Sequence, residues 1–389
     1  MRMTVQNSDL QSILNAATAV SRPSDPIRII AERLGDTDDT EPDSCEHPGE
    51  AGQIRVIAFS DTMVIEWRRP AEIRMTGQIS IRPDGLNRLV KASRNSDSTF
   101  VLETIETDNN RSLRLNTSRS AHEFTAISGA VLDSIVPGRT GGEHAKLSNL
   151  SAAITTARTS IAARGDAAGG RVMLTGVHLR KRGDIVDVVG TDARRMAVMS
   201  LNAADISGLH LESARDGVTL PPDSLSLVAE MLASGAARFD VVDNNAIIET
   251  ADGSLSVRMI DAPYPDYSRL LGSQGDTEIV LPKSDLEIAL QRSSVALVKD
   301  KRSVAVKLSR DSDGVYVTSS AAGQSSSECV HKTPGEETAI GFDAHYMLNA
   351  ISVFGQGDIK LLFGDEKTPI HITSGTRPET KMLVMPCKI

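Results

Sequence analysis

The chain has 389 residues, 40 % hydrophobic and 24 % charged, enough for roughly two to four domains with real cores. No run of about 18 apolar residues occurs, which excludes a transmembrane helix. The polar start MRMTVQNSDLQSIL lacks the apolar stretch and small-residue cleavage site of a signal peptide. A net charge of −9 argues against a nucleic-acid binder, although a hollow molecule can be acidic outside and basic along an inner wall. Three widely spaced cysteines, Cys45, Cys329 and Cys387, fit a reducing cytoplasm and argue against a disulfide framework or a paired metal site.

In chain order, three segments share a start: Ser8-Asp9-Leu10, Ser148-Asn149-Leu150 and Ser284-Asp285-Leu286, 140 and 136 residues apart. In each, a short β-like stretch leads into a polar cap and a helical pattern. The apolar positions are Leu10, Ile13, Leu14 and Ala17, then Leu150, Ala153, Ile154 and Ala157, then Leu286, Ala289, Leu290 and Ser293. That is i, i+3, i+4, i+7 each time, one stripe of an α-helix. The small last position would let another helix approach closely.

A second helix follows in each copy: IRPDGLNRLVKA, LPPDSLSLVAEM and IGFDAHYMLNAI. Asp84, Asp223 and Asp343 are predicted as their N-caps, accepting backbone N–H groups at the positive helix end. Strand, turn and strand come next, with turns at Asp108-Asn109-Asn110, Asp243-Asn244-Asn245 and Gly364-Asp365. A three-fold repeat is thereby expected, as three α+β domains of two helices plus antiparallel sheets: 1–140, 141–273 and 274–389. The first should end near Ile135-Val136-Pro137-Gly138 and the second near Leu271-Gly272-Ser273-Gln274-Gly275. An insertion at about 32–53 interrupts the first copy, with seven acidic residues and no Lys or Arg from Asp36 to Glu50. It reads as an exposed acidic loop.

Nothing argues for catalysis. No phosphate loop, dinucleotide fingerprint, metalloprotease pair or nucleophile elbow is present, and the eight histidines are scattered. His122-Glu123 reads as a surface pair. Asp192, beside Arg194 and Arg195, reads as a turn cap or ion pair rather than a catalytic carboxylate. Aromatics are 3 % of the chain, too few for base stacking but no obstacle to contacts with phosphates alone. No metal or cofactor is expected.

Four stretches carry a resemblance. Val189-Gly190-Thr191-Asp192-Ala193-Arg194-Arg195-Met196-Ala197-Val198 resembles the ATDGHRLA signature of the middle domain of bacterial DNA polymerase III beta subunits, the beta sliding clamps. Tyr264-Pro265-Asp266-Tyr267-Ser268-Arg269-Leu270-Leu271 is similar to their FPDYRRVLP junction. Ile340 to Leu348 resembles IGFNVSYVLD, and Leu383 to Ile389 resembles the VVMPMRL terminus. The likeness is good over roughly residues 145–389 and weaker before. Ala193 replaces the family's Gly, Arg194 its usual His or aromatic residue, and Cys387 its Met.

The resemblance implies a head-to-tail homodimer whose six domains form a ring around duplex DNA, helices lining the hole and sheets outside. It implies a processivity factor that performs no chemistry. Arg22, Arg88, Lys91, Arg158 and Arg292 are the candidate phosphate contacts, independent of DNA sequence. A cleft between the second and third domains would take short linear peptides of DNA polymerase and clamp-loader subunits. Carried over by motif, it comprises Arg171, Leu174, Thr191, Arg195, Met196, Pro265, Arg269, Leu270, Tyr346, Met385 and Pro386. Two other readings stand open: a divergent clamp paralogue with a regulatory or structural role that does not encircle DNA, and an enzyme on a three-repeat scaffold. No membrane partner is expected.

Overall fold

The computed structural model describes residues 1–22, 25–34, 48–93, 97–107, 110–127, 141–167, 170–211, 214, 216–297, 304–321 and 324–388. Most of the acidic insertion, Cys45, the Asp108-Asn109 turn, the end of the first repeat at Ile135–Gly138, and Ile389 lie outside these residues.

Each predicted helix forms. The first of each copy are α1 (Asn7–Val20), α3 (Ser148–Ala157) and α6 (Lys283–Leu297); the second are α2 (Pro83–Ala92), α4 (Leu225–Ala233) and α7 (Ala344–Ser352). A short α5 (Ser268–Gly272) lies between the second and third copies. All twelve stripe positions of α1, α3 and α6 are buried, none more than 3 % exposed. Each Leu or Ile among them contributes roughly 1.5–3 kcal/mol by leaving water. Small residues at the stripe's end allow α1 to pack on α2 and α6 on α7.

The caps divide. Asp343 caps α7, its Oδ1 accepting the amides of His345 at 2.8 Å and Tyr346 at 3.3 Å. Asp84 is not a cap. Pro83 opens α2, and its missing N–H is harmless at a first helical position; Arg82 takes the cap place without a side-chain bond, leaving Asp84 in the first turn. Asp223 is not one either. Residues 222–224 form a turn closed by the Ser224 amide and hydroxyl on the Pro221 carbonyl, and the Asp223 carboxylate pairs with Arg164. Of the turns, Asp243 and Asn244 have φ of 46° and 62°, the left-handed pair a two-residue hairpin needs. Asp365 Oδ1 accepts the amides of Lys367 at 3.0 Å and Thr368 at 2.9 Å.

The chain forms two compact units. One comprises Met1–Leu147, Gly208–Ser213 and Ser226–Arg258; among its described residues is an antiparallel sheet in which Met63–Met75 pairs with both Arg2–Gln6 and Gly253–Arg258. Its strand Glu50–Phe59 buries Gly52, Ile54 and Val56 and leaves Gln53 and Arg55 partly exposed, the two-residue period of a strand with one face on the core.

The other unit comprises Ser148–Ser207, Ala214–Leu225 and Met259–Ile389. Its larger sheet runs, in spatial order, 218–220, 177–182, 185–191, 195–202, 380–384, 370–374, 358–363 and 277–282. The central pairing joins Arg195–Asn202 to Thr380–Val384, with Arg195 opposite Val384 and Met196 opposite Leu383. Strands of the second and third repeats thus share one ladder, and Arg195 and Met196 of the candidate cleft lie on this seam. A smaller four-stranded sheet, 324–331, 315–321, 305–310 and 338–343, completes the unit. Gly275 passes so close to the backbone of Phe363 and Gly364 that a Cβ there would collide with it.

Candidate functional site

The seam ends in the tight turn from Thr191 to Arg195. Asp192 builds it: Oδ1 accepts the amides of Arg194 and Arg195, both at 2.9 Å, and Oδ2 accepts the Arg195 Nε–H at 3.1 Å. Asp192 is therefore a turn cap and an ion-pair partner. The Thr191 hydroxyl donates to the Arg195 carbonyl at 2.7 Å and accepts the Ala193 amide at 3.1 Å. Ala193 takes a φ of 71°, a region L-residues other than Gly, Asn and Asp avoid, which accounts for the family's glycine at this place.

The turn reaches α7 and the chain's last strand. The Arg195 guanidinium carbon lies 5.1 Å from the centre of the Tyr346 ring, within cation–π range. Arg194 Nη1 donates to the Tyr346 hydroxyl at 3.2 Å. The Arg194 carbonyl accepts the Met385 amide at 2.8 Å, and the Gly341 carbonyl accepts the Cys387 amide at 2.8 Å. Met385 and Pro386 are thereby strapped along the seam, both half-buried.

Beneath the turn is an apolar floor. Val189, Met196, Val198, Tyr267 and Leu383 form one buried cluster, against which Tyr264 and Leu271 pack while partly exposed. Tyr264 stacks on His178 with ring centres 4.2 Å apart and planes within 5°. His178 is itself buried, and its Nδ1 lies 3.0 Å from the Thr219 hydroxyl. Burial, with Arg180 nearby, pushes the His178 ring down to about 4, so it is neutral near pH 7. Burial likewise raises the phenols of Tyr264 and Tyr267 and the thiol of Cys387. Asp266 is lowered by the hydrogen bonds it accepts from Ser268.

Thr191, Arg195 and Tyr346 thus join through direct contacts, Met385 joins them through the Arg194 carbonyl, and Met196 joins the 264–271 segment through the floor. Pro265, Arg269 and Leu270 of that segment are exposed, Leu270 at 38 %. Leu174 is 5 % exposed and outside the floor cluster; its carbonyl accepts the Ala162 amide at 2.8 Å. Arg171 stands exposed just before it. Sequence reasoning missed Asp187 and His178, which lie under the site. The one signal for Asp187 was a polar residue in a strand otherwise rich in Val and Ile; His178, in the strand VHLRKR, had none.

All five candidate phosphate contacts are exposed. Arg22, just after α1, pairs with Asp61. Arg88 and Lys91 lie on the outer face of α2, with Arg88 Nε 3.4 Å from the Asp84 carbonyl. Arg158 opens the short turn that follows α3, and Arg292 on α6 pairs with Glu328 at 3.5 Å. Among the described residues no group of three His, Cys, Asp or Glu side chains could hold a metal, and no helix is long and apolar enough to cross a membrane.

Residues 144–266 match the family model of the DNA polymerase III beta subunit central domain, and 268–388 match that of its C-terminal domain. The chain is 24 % identical over 417 aligned residues to the beta sliding clamp of Synechocystis sp., covering 100 % of both. The crystal structure of the Pseudomonas aeruginosa DNA polymerase III beta subunit matches with a TM-score of 0.80 at 17 % identity, covering 100 % of each chain. That of the Caulobacter crescentus beta sliding clamp gives 0.81 at 19 %, covering 100 % of this chain and 99 % of that one. Two family domains in order, a full-length relative and a shared fold place this chain in the DNA polymerase III beta-subunit family, as a divergent beta sliding clamp.

Proposed function

We propose that two copies of this chain close head to tail into a ring around duplex DNA and act as a processivity factor that performs no chemistry. Three clamp domains per copy, near 1–140, 141–273 and 274–389, would supply six similar parts, a closure that head-to-tail contact permits. The full-length likeness to beta clamp structures, at a TM-score of 0.80, is the observation that carries this reading.

A ring held by topology needs only weak, sequence-independent phosphate contacts. Arg22, Arg88, Lys91, Arg158 and Arg292 are suited to that, since all five are exposed. At Arg22 and Arg292 a phosphate has to displace Asp61 or Glu328, which weakens each contact and favours sliding over gripping. The surface beside Arg195 and Tyr346 serves as the tether for polymerase and clamp-loader peptides. Apolar anchors such as Leu and Phe would lie over the floor of Met196 and Leu383, with polar atoms met at the rim.

Small-angle X-ray scattering of the purified protein tests the ring. Twice the chain mass of 41.6 kDa with a hollow profile is expected; a monomer at every concentration would sink it. Retention on nicked circular DNA, and loss when the circle is cut, tests encirclement separately.

A further inference from the structure

Of the parts that frame the cleft, α5 has the least support of its own. None of its five residues is buried, yet it carries Arg269 and Leu270 to the cleft's lip. So short a helix has negligible stability alone, and its place has to be imposed by its flanks. After α5, His371 Nε2 lies 3.0 Å from the Ser273 carbonyl. A carbonyl only accepts, so that ring nitrogen carries the proton.

Before α5 stands Tyr267. Its ring is 3 % exposed and belongs to the floor with Met196 and Leu383. Its carbonyl accepts the amides of Leu270 at 3.0 Å and Leu271 at 3.2 Å, so a shift of Tyr267 carries the first turn of α5 with it. Its hydroxyl donates to Asp187 Oδ2 at 3.1 Å. Asp187 is wholly buried in the middle of the Ile185–Thr191 strand. Its Oδ2 also accepts the Arg182 Nε–H at 2.7 Å, and its Oδ1 accepts the Ser200 hydroxyl at 2.9 Å. Donors from three stretches of chain hold this carboxylate in one orientation. A charged acceptor fixes a phenol more strongly and more directionally than a neutral one.

We propose that Asp187 is a positioning residue for the partner-peptide cleft: through the Tyr267 hydroxyl it ties the lip formed by α5 to the central sheet. This rests on the cleft reading above. Asp187 touches no peptide; it decides where Arg269 and Leu270 stand when one arrives. Its deletion could unfold the protein, because Arg182 and Ser200 would lose their partner. Tyr267→Phe is the cleaner variant, since it keeps the ring in the floor and leaves Asp187 its other donors. Ser200→Ala is the control, removing a donor to the same carboxylate on the sheet side.

The experiment pairs fluorescence anisotropy, using a short fluorescein-labelled peptide with Leu and Phe anchors, with hydrogen exchange of the Leu270 and Leu271 amides in the full chain without peptide. Tyr267→Phe should weaken the peptide by about tenfold and speed both amides by a similar factor, the effect of one charge-assisted hydrogen bond. Ser200→Ala, which leaves the Tyr267 hydroxyl bonded to Asp187 Oδ2, should move both readings clearly less than Tyr267→Phe does. Exchange and affinity in Tyr267→Phe equal to wild type would overturn the proposal. Failure of the wild-type chain to bind the peptide would overturn the cleft reading instead, and the exchange measurement, which needs no peptide, keeps the two failures apart.

Discussion

The guanidinium of Arg195 lies over the ring of Tyr346, 5.1 Å from its centre, while its Nε–H is held by Asp192 at 3.1 Å. One planar cation therefore couples the turn of the second repeat to a helix of the third. Its Nη1 is buried with no hydrogen-bond partner among the described residues. Arg195→Ala should weaken a Leu- and Phe-bearing peptide by on the order of tenfold. Arg195→Lys should fall between, because an ammonium keeps the charge and loses the planar stack. Titration by anisotropy checks both; a lysine variant as weak as alanine would show that charge contributes nothing.

Removing Met385 to Ile389 should abolish peptide binding on the cleft reading proposed above, because the Met385 amide bonds to the Arg194 carbonyl beside Tyr346. The melting temperature should fall only slightly, since the Thr380–Val384 strand remains paired. Surviving affinity would remove these two residues from the site.

Ala193→Gly should stabilise the chain by about 1 kcal/mol, since the left-handed conformation costs a Cβ-bearing residue roughly 1–2 kcal/mol and glycine almost nothing. Urea unfolding of the two proteins side by side measures it. A loss of stability would mean the strain is relieved elsewhere in the turn.

Freeing Arg22 should tighten the hold on DNA. Asp61→Asn removes the carboxylate that pairs with it, and because that pair is exposed the gain stays below about tenfold in residence time. Charge reversal at Arg22 and Arg88 should shorten residence and reduce the salt slope by about one per lost phosphate contact, without unfolding. Residence on nicked circles at two salt concentrations reads both effects.

His178 makes stability depend on pH. Its folded value of about 4 lies below the ordinary 6.5, so between these limits the unfolded chain binds a proton that the folded one refuses. Stability is whole above about 6.5 and falls as pH drops toward 4, by about 2 kcal/mol between pH 7 and 5. His371 is lowered too, chiefly by burial, and acts in the same direction. His178→Gln should therefore flatten the curve in part; an unchanged slope would place the dependence elsewhere.

The helices were legible because a buried stripe repeats at a local period, whatever it packs against. Asp343 was legible as a cap for the same reason, since its bonds reach only two and three residues ahead. Asp223 was not, because Arg164 takes its carboxylate across 59 positions of chain. In the site, the Thr191–Met196 turn and the Tyr264–Leu271 segment announced themselves by motif. Asp187 stayed silent because its meaning depends on Tyr267, 80 residues further on. The seam between Arg195–Asn202 and Thr380–Val384 was hidden likewise, as nothing in either strand names its neighbour.

That seam gives the proposed peptide site a fixed frame. Met196 and Leu383 face each other across backbone hydrogen bonds, so the two strands cannot part without breaking the ladder between them. Slippage by one residue would turn Met196 away from the floor altogether. On the reading proposed above, rival ligands would compete for that one frame, and turnover among them would be set by how quickly the occupant leaves.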